Sequence, residues 1–211
     1  VGTGDWHLIF VADGNGKQGE TDEGNNTSSR PLRVEIPDLE ATFLQAPTTA
    51  ASQETIAVTW TVRNAGTGVA SADWYDTFYL STDDTYSTGD LYVGGISVAE
   101  VTPLAVTGAA GDSYTLTRNL KMPSAAAGSY YLLVIANGDA AQFEADRTDN
   151  FEAVPITLSN PNLQVTALTA PVAGAVGQTV EISWTVRNAG GGTAYQDWWD
   201  AVFFSTDAIL D

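Results

Sequence analysis

Between Thr55 and Asn64 the chain alternates without a break. Ile56, Val58, Trp60 and Val62 fall on one side, and Thr55, Ala57, Thr59, Thr61 and Arg63 on the other. A period of two is the mark of a half-buried antiparallel strand. Comparable extended runs follow at 39–45, 74–81, 91–98, 113–122, 129–136 and 151–158, separated by turn-forming clusters such as Asn64-Ala65-Gly66-Thr67-Gly68. No segment holds a 3.6-residue period over three turns, so the pattern predicts essentially no helix. About seven short antiparallel strands per unit, each with one apolar face, predict a two-sheet sandwich of the immunoglobulin or fibronectin type.

Two stretches read differently. Trp6, Leu8, Phe10 and Ala12 alternate with His7, Ile9 and Val11, so both faces are apolar. This predicts a central strand, buried on one side and covered on the other. Pro31 and Pro155 stand in extended runs, where a residue without an N–H is confined to an edge strand or a bulge.

The pattern repeats. VTWTVRNAG at 58–66 returns as ISWTVRNAG at 182–190, with Trp60 and Trp184 standing 124 residues apart. The same shift places Asp73-Trp74-Tyr75-Asp76 on Asp197-Trp198-Trp199-Asp200, and Gly4-Asp5-Trp6-His7-Leu8 on Gly128-Ser129-Tyr130-Tyr131-Leu132, without a gap. About a third of positions are identical across the overlap, and a fixed period of this kind signals a tandem array. We read residues 1–36 as the C-terminal part of one repeat, 37–160 as a complete repeat, and 161–211 as the N-terminal part of the next. The X-Pro segments Ile36-Pro37-Asp38 and Asn160-Pro161-Asn162 mark the boundaries as short, stiff hinges. Trp60 and Trp184 should be equivalent core positions. Neither end reads as a natural terminus, which points to a window on a longer tandem protein.

Composition narrows the setting. The formal charge is −18, from 26 acidic and 8 basic residues. Such a surface repels nucleic acid and anionic membranes. No apolar run approaches the ~18 residues of a membrane helix. The chain has no cysteine, so the fold needs no disulfide.

The motifs W-T-V-R-N-A-G at 60–66, Phe78-Tyr79-Leu80-Ser81-Thr82-Asp83, Gly89-Asp90 with Val93-Gly94, and Gly128-Ser129-Tyr130-Tyr131-Leu132 come in the order found in the CARDB domain, a bacterial immunoglobulin-like module named for cell adhesion. The chain resembles that family over almost its whole length. Glu20-Thr21-Asp22-Glu23-Gly24-Asn25-Asn26 matches the family's E-x-x-E-x-N-N ending; the second copy departs from it, with Arg147 for a Glu and Asp149 for an Asn. The resemblance implies tandem extracellular modules and brings no catalytic set.

Three acidic groupings are candidates for chemistry. Asp83, Asp84 and Asp90 share one loop; Asp139, Glu144, Asp146 and Asp149 share another; Asp73 and Asp76 recur as Asp197 and Asp200. Ca²⁺ takes roughly six to eight hard oxygen ligands, so Asp83, Asp84, Asp90, Asp139, Glu144 and Asp146 are the expected ligands; turn chemistry at Asp and Asn is the alternative. Asp13-x-Asn15-x-Lys17 fails as a helix-loop-helix calcium loop, because Lys17 occupies a ligand position and Gly24 the place of the twelfth-position Glu. Trp74, Tyr75, Trp198 and Trp199 are candidates for stacking on sugars, against core packing; alternation lets only one ring of each pair face inward. His7 is the single histidine and becomes Tyr131 in the next copy, which argues against catalysis there.

The expected function is a non-enzymatic structural or adhesive module of a bacterial stalk, surface fibre or filament, extracellular or at the cell surface, and cation-stabilised. Its partners are neighbouring repeats, identical chains in a fibre, or glycans. The alternative is a glycan- or surface-binding accessory module of a large secreted protein or hydrolase.

Overall fold

A computed structural model describes residues 2–210; Val1 and Asp211, at the outer limits of the two partial repeats, lie outside it. Twelve strands follow in order: β1 (Gly4–Val11), β2 (Thr27–Val34), β3 (Leu39–Gln45), β4 (Thr49–Ala51), β5 (Thr55–Asn64), β6 (Tyr75–Ser81), β7 (Leu91–Ser97), β8 (Ser113–Lys121), β9 (Gly128–Ile135), β10 (Phe151–Ser159), β11 (Leu163–Thr169) and β12 (Ser183–Asn188). The helical content among the described residues is one 3₁₀ turn at Glu23–Asn25.

Strands β3 to β10 form the complete repeat as two sheets. One has the order β3-β5-β8 and the other β4-β10-β9-β6-β7. The alternation read in β5 is the one observed: Ile56, Val58, Trp60 and Val62 enter the core. On its outer side, Thr59 and Thr61 hydrogen-bond Thr117 and Thr115 of β8, each at 2.8 Å. Facing sheets interlock around Trp60, whose ring meets Phe78 edge-on at 5.0 Å. Such a pair adds about 1 kcal/mol to the burial of the two rings.

Eight strands replace the seven expected. The addition is β4, whose pairing with β10 is parallel and involves Thr157–Ser159 only. A three-residue strand leaves no periodicity to read. Its shortness also leaves Pro155, opposite Tyr131 of β9, with an unpaired outer edge, as proline requires. Tyr130 packs partly against the core, and its hydroxyl donates to the Ala126 carbonyl, four residues back in the chain, at 3.1 Å.

The partial repeats form two-stranded ribbons, β1-β2 and β11-β12, in the registers of β9-β10 and β3-β5. Two expectations change here. Strand β9 lies between β10 and β6, whereas β1 pairs with β2 alone, so β1 is an exposed strand rather than a central one. Trp60 is sealed at 0% exposure while Trp184 is 43% exposed, because no equivalent of β8 or β9 covers β12 among the described residues.

Candidate functional site

The feature that recurs in both junctions is the clasp between the X-Pro linker and the Asn-Ala-Gly turn that ends β5 and β12. Asn64 is fully buried. Its Oδ1 accepts from the amides of Asp38 (3.1 Å) and Gly66 (3.0 Å), and its Nδ2 donates to the carbonyls of Gly68 (2.8 Å) and Ala105 (2.9 Å). Ala65 N donates to Asp38 O at 2.7 Å and Gly68 N to Ile36 O at 3.0 Å. The second junction repeats the set apart from the Ala105 bond, with Asn188 exposed where Asn64 is buried. Asn188 accepts from Asn162 N (2.9 Å) and Gly190 N (3.0 Å) and donates to Gly192 O (2.7 Å). Ala189 N reaches Asn162 O at 2.7 Å and Gly192 N reaches Asn160 O at 3.1 Å.

Glycine is required on the turn. A Cβ on Gly68 would lie 2.8 Å from Ile36 N, and one on Gly192 would lie 2.6 Å from Ser159 O. The Asn amide accepts two backbone N–H bonds through its oxygen and donates two through its nitrogen, the four bonds this strand end presents. The clasp leaves Glu35 as the single free residue between β2 and the gripped carbonyl of Ile36, and none between β10 and that of Asn160.

Around the same end runs the β9–β10 connection. Glu144 is buried: its Oε2 accepts from Leu39 N (3.0 Å), its Oε1 from Asn137 Nδ2 (2.7 Å) and Asn150 Nδ2 (2.8 Å), and Arg147 pairs with it at 3.5 Å. Burial pushes its pKa up, and these donors pull it back. Arg147, which departs from the family ending, supplies the cation. Asp38 Oδ1 accepts from Asp146 N at 2.9 Å. Asp149 is held above the ordinary carboxylate range by burial first, and then by the charges of Asp38, Asp146 and Glu40.

The expected metal ligands are engaged otherwise. Asp83 accepts from the amide and hydroxyl of Thr85, Asp90 from those of Ser87, and Asp146 from those of Thr148. Asp139 accepts from the amides of Tyr75 and Ala141, and Asp84 stands exposed in the same connection as Asp83. The two loops do not converge, and among the described residues no three His, Cys, Asp or Glu side chains are grouped to hold a metal ion. Most of these contacts are the local turn chemistry of Asp side chains.

The third acidic pair divides. Asp73 accepts from the Thr102 hydroxyl at 2.6 Å at the surface. Asp76 is in the core, where Trp60 Nε1 (2.6 Å) and the Tyr114 hydroxyl donate to Oδ2, and Trp74 Nε1 (3.1 Å) and Asn137 N (3.2 Å) to Oδ1. Burial pushes its pKa up and the four donors oppose that. The next repeat keeps the core of the clamp: Trp184 and Trp198 donate to the two oxygens of Asp200 at 2.7 and 3.2 Å.

The family model for CARDB matches residues 36–154, which covers the complete repeat as far as the first half of β10 and more than half of the chain. The chain belongs to the CARDB family. CARDB is a non-catalytic domain family with an immunoglobulin-like β-sandwich. Among solved structures, the chain is similar to the CARDB domain of the PF1109 protein from Pyrococcus furiosus, seen by crystallography in complex with di-metal ions. That match has 15% identity over 60% of this chain and 97% of that one, with a TM-score of 0.42. The solution structure of the same domain matches at 14% identity over 59% and 97%, with a TM-score of 0.40. A β-glucosidase, EmGH1 from Erythrobacter marinus, matches at 14% identity over 62% of this chain and 17% of its own, with a TM-score of 0.37. No curated protein matches the chain.

In the CARDB repeat the sugar-stacking candidates separate by face. Trp74 is fully buried and donates to Asp76, so it cannot stack on a ligand. Tyr75, its neighbour, points outward at 49% exposure. Trp198 binds Asp200 as Trp74 binds Asp76, and Trp199 is 96% exposed, as Tyr75's equivalent should be. Sequence reasoning missed Asn64, Asn188 and the buried role of Glu144. The signal available was the return of the polar Asn and the two glycines of N-A-G-x-G inside an otherwise apolar repeat.

Proposed function

We propose that this chain is a non-catalytic spacer in a tandem-repeat protein at a bacterial cell surface, a stalk, fibre or filament whose CARDB units are held at fixed angles. One observation carries the reading: the linker clasp recurs in two successive junctions and leaves one free residue in the first and none in the second. A flexible tether needs no buried asparagine at its mouth, and its glycines need not touch the preceding backbone.

Cations enter this reading as counter-charge. Asp38, Glu40, Asp146 and Asp149 crowd the clasped end, and a net charge of −18 opposes compaction. NaCl and CaCl₂ at equal ionic strength should then raise the thermal midpoint alike. A rise specific to Ca²⁺ and reversed by EGTA would show ligation instead.

The spacer role is tested by distance measurement. The chain has no cysteine, so Asn119→Cys and Gln164→Cys provide clean spin-label sites on either side of the second linker. A single narrow distance distribution is expected, broadening when Gly192→Val forces the linker off the turn. A broad distribution in the unaltered clasp overturns the spacer reading. Surface proteolysis of intact source cells tests the location: the chain should be cleaved without lysis.

A further inference from the structure

The clasp ties a linker to the repeat that follows it. Asn188, Ala189 and Gly192, which grip the second linker, all belong to the following repeat. A joint has two sides, and relative motion is the default for domains that little else connects.

At the second junction the other side is held as well. Ser52 knits one end of the complete repeat into a plate. Its amide donates to the Ser159 carbonyl at 3.1 Å, and its hydroxyl donates to the Pro123 carbonyl at 3.3 Å and accepts from the Ala125 amide at 3.4 Å. Asn160 Nδ2 donates to the Ala125 carbonyl at 3.0 Å, which fastens the linker to that plate. The 193–196 loop of the following repeat borders one cleft with Ser52, Gln53 and Ala125. From this loop the Tyr195 hydroxyl meets the Glu54 carboxylate, which raises the phenol's pKa, and the Thr193 hydroxyl lies against the same phenol.

The turn that carries Glu54 does not account for its charge. Glu54 accepts from the Ala51 amide at 2.6 Å, and 124 residues later Gln178 accepts from the Ala175 amide at 2.9 Å. An amide oxygen serves this turn as well as a carboxylate does, which leaves the charge at 54 to what lies beyond the turn. That is Tyr195. Nor is the contact general to the repeat: Ser71 stands at the place of Tyr195, and Ile36 at the place of Asn160. Isoleucine has no donor, and serine is too short to repeat the reach of a tyrosine.

Three attachments fix an orientation where one permits rotation. The chain runs from Ser159 directly into Asn160, the Asn160 amide holds Ala125, and Tyr195 holds Glu54 from the far side. We infer that the end of the complete repeat built around Ser52 is a docking surface for the 193–196 loop of the next repeat, with Asn160 and Tyr195 as the residues that set the angle of the second joint. The clasp sets linker length and the docking side chains set direction, so joints that share one clasp can differ in angle. The inference rests on the spacer reading, whose fixed angles it assigns to named residues.

Two measurements on the same chain test it. Spin labels at Asn119→Cys and Gln164→Cys read the joint, and hydrogen exchange at the Asn162 amide, which donates to Asn188, reads the clasp. Tyr195→Ser combined with Asn160→Ile installs the residues of the first junction. The distance distribution should broaden about twofold or more while the Asn162 amide stays protected. If the double variant loses that protection, Tyr195→Ser alone carries the same expectation. A distribution that stays narrow over a protected Asn162 overturns the docking surface and leaves the spacer reading standing. A distribution already broad in the unaltered joint overturns the spacer reading, and this inference with it.

Discussion

Trp60 Nε1 donates to Asp76 Oδ2 at 2.6 Å inside a sealed core, and Trp184 does the same to Asp200 at 2.7 Å one repeat later. A buried carboxylate with four donors and no cation is held by hydrogen bonds alone. Asp76→Ala strips acceptors from two indoles, a phenol and an amide at once. We expect it to lower unfolding free energy by about 3 kcal/mol or more, read from urea denaturation. A loss below about 1 kcal/mol would mean the indoles find other acceptors.

The linker clasp predicts a contrast between two substitutions. Asn64→Asp keeps the acceptor for Asp38 and Gly66 but turns a charge toward the carbonyls of Gly68 and Ala105. It should destabilise the repeat by about 3 kcal/mol and expose the Asp38 amide to hydrogen exchange. Arg63→Lys, next in the chain but outward-facing, should change stability by no more than about 0.5 kcal/mol.

A third prediction concerns Gly138, whose amide donates to Tyr75 O at 2.8 Å. A Cβ at this position would come within 1.9 Å of the buried Thr77 hydroxyl. Gly138→Ala should therefore cost about 1–3 kcal/mol by overpacking, and Thr77→Ala, which removes the hydroxyl, should relieve part of it. Additive losses in the double variant would rule out the contact as the cause.

The pH dependence follows from Asp149. Its folded-state pKa is raised by burial and by Asp38, Asp146 and Glu40, so the native state holds this proton more tightly than the unfolded chain does. Stability from that site is present below the ordinary carboxylate value and is lost as pH rises through the folded value. Asp83 and Asp146 are lowered by Thr85 and Thr148 and act in the opposite sense, losing stability as pH falls through their folded values. The melting midpoint should peak on the acid side of neutrality, and Asp149→Asn should flatten the decline toward pH 7. An unchanged slope in that variant would place the effect elsewhere.

How much of this was legible depended on whether a residue's role was local. The alternation of 55–64 is a local consequence of one buried face, and it gave the strand, its inward residues and the sandwich. The 124-residue spacing pairs the two X-Pro linkers that the clasps hold. Asp76 was not legible as a core residue, because its partners Tyr114 and Asn137 come from β8 and from the turn after β9, both distant in the chain. Glu144 looked like a surface ligand for the same reason: its donor Leu39 N lies 105 residues away. Trp184 was read correctly as equivalent to Trp60 in chemistry and incorrectly in burial, since burial depends on strands beyond its own ribbon.

The clasp grips main-chain atoms: the carbonyl of residue 36 or 160 and the amide of residue 38 or 162. Linker identity is therefore free to drift, as Ile-Pro-Asp against Asn-Pro-Asn illustrates, while its length is not. A single inserted residue would unseat more than any single replacement. A change in length that leaves both clasps closed would have to come in whole 124-residue steps.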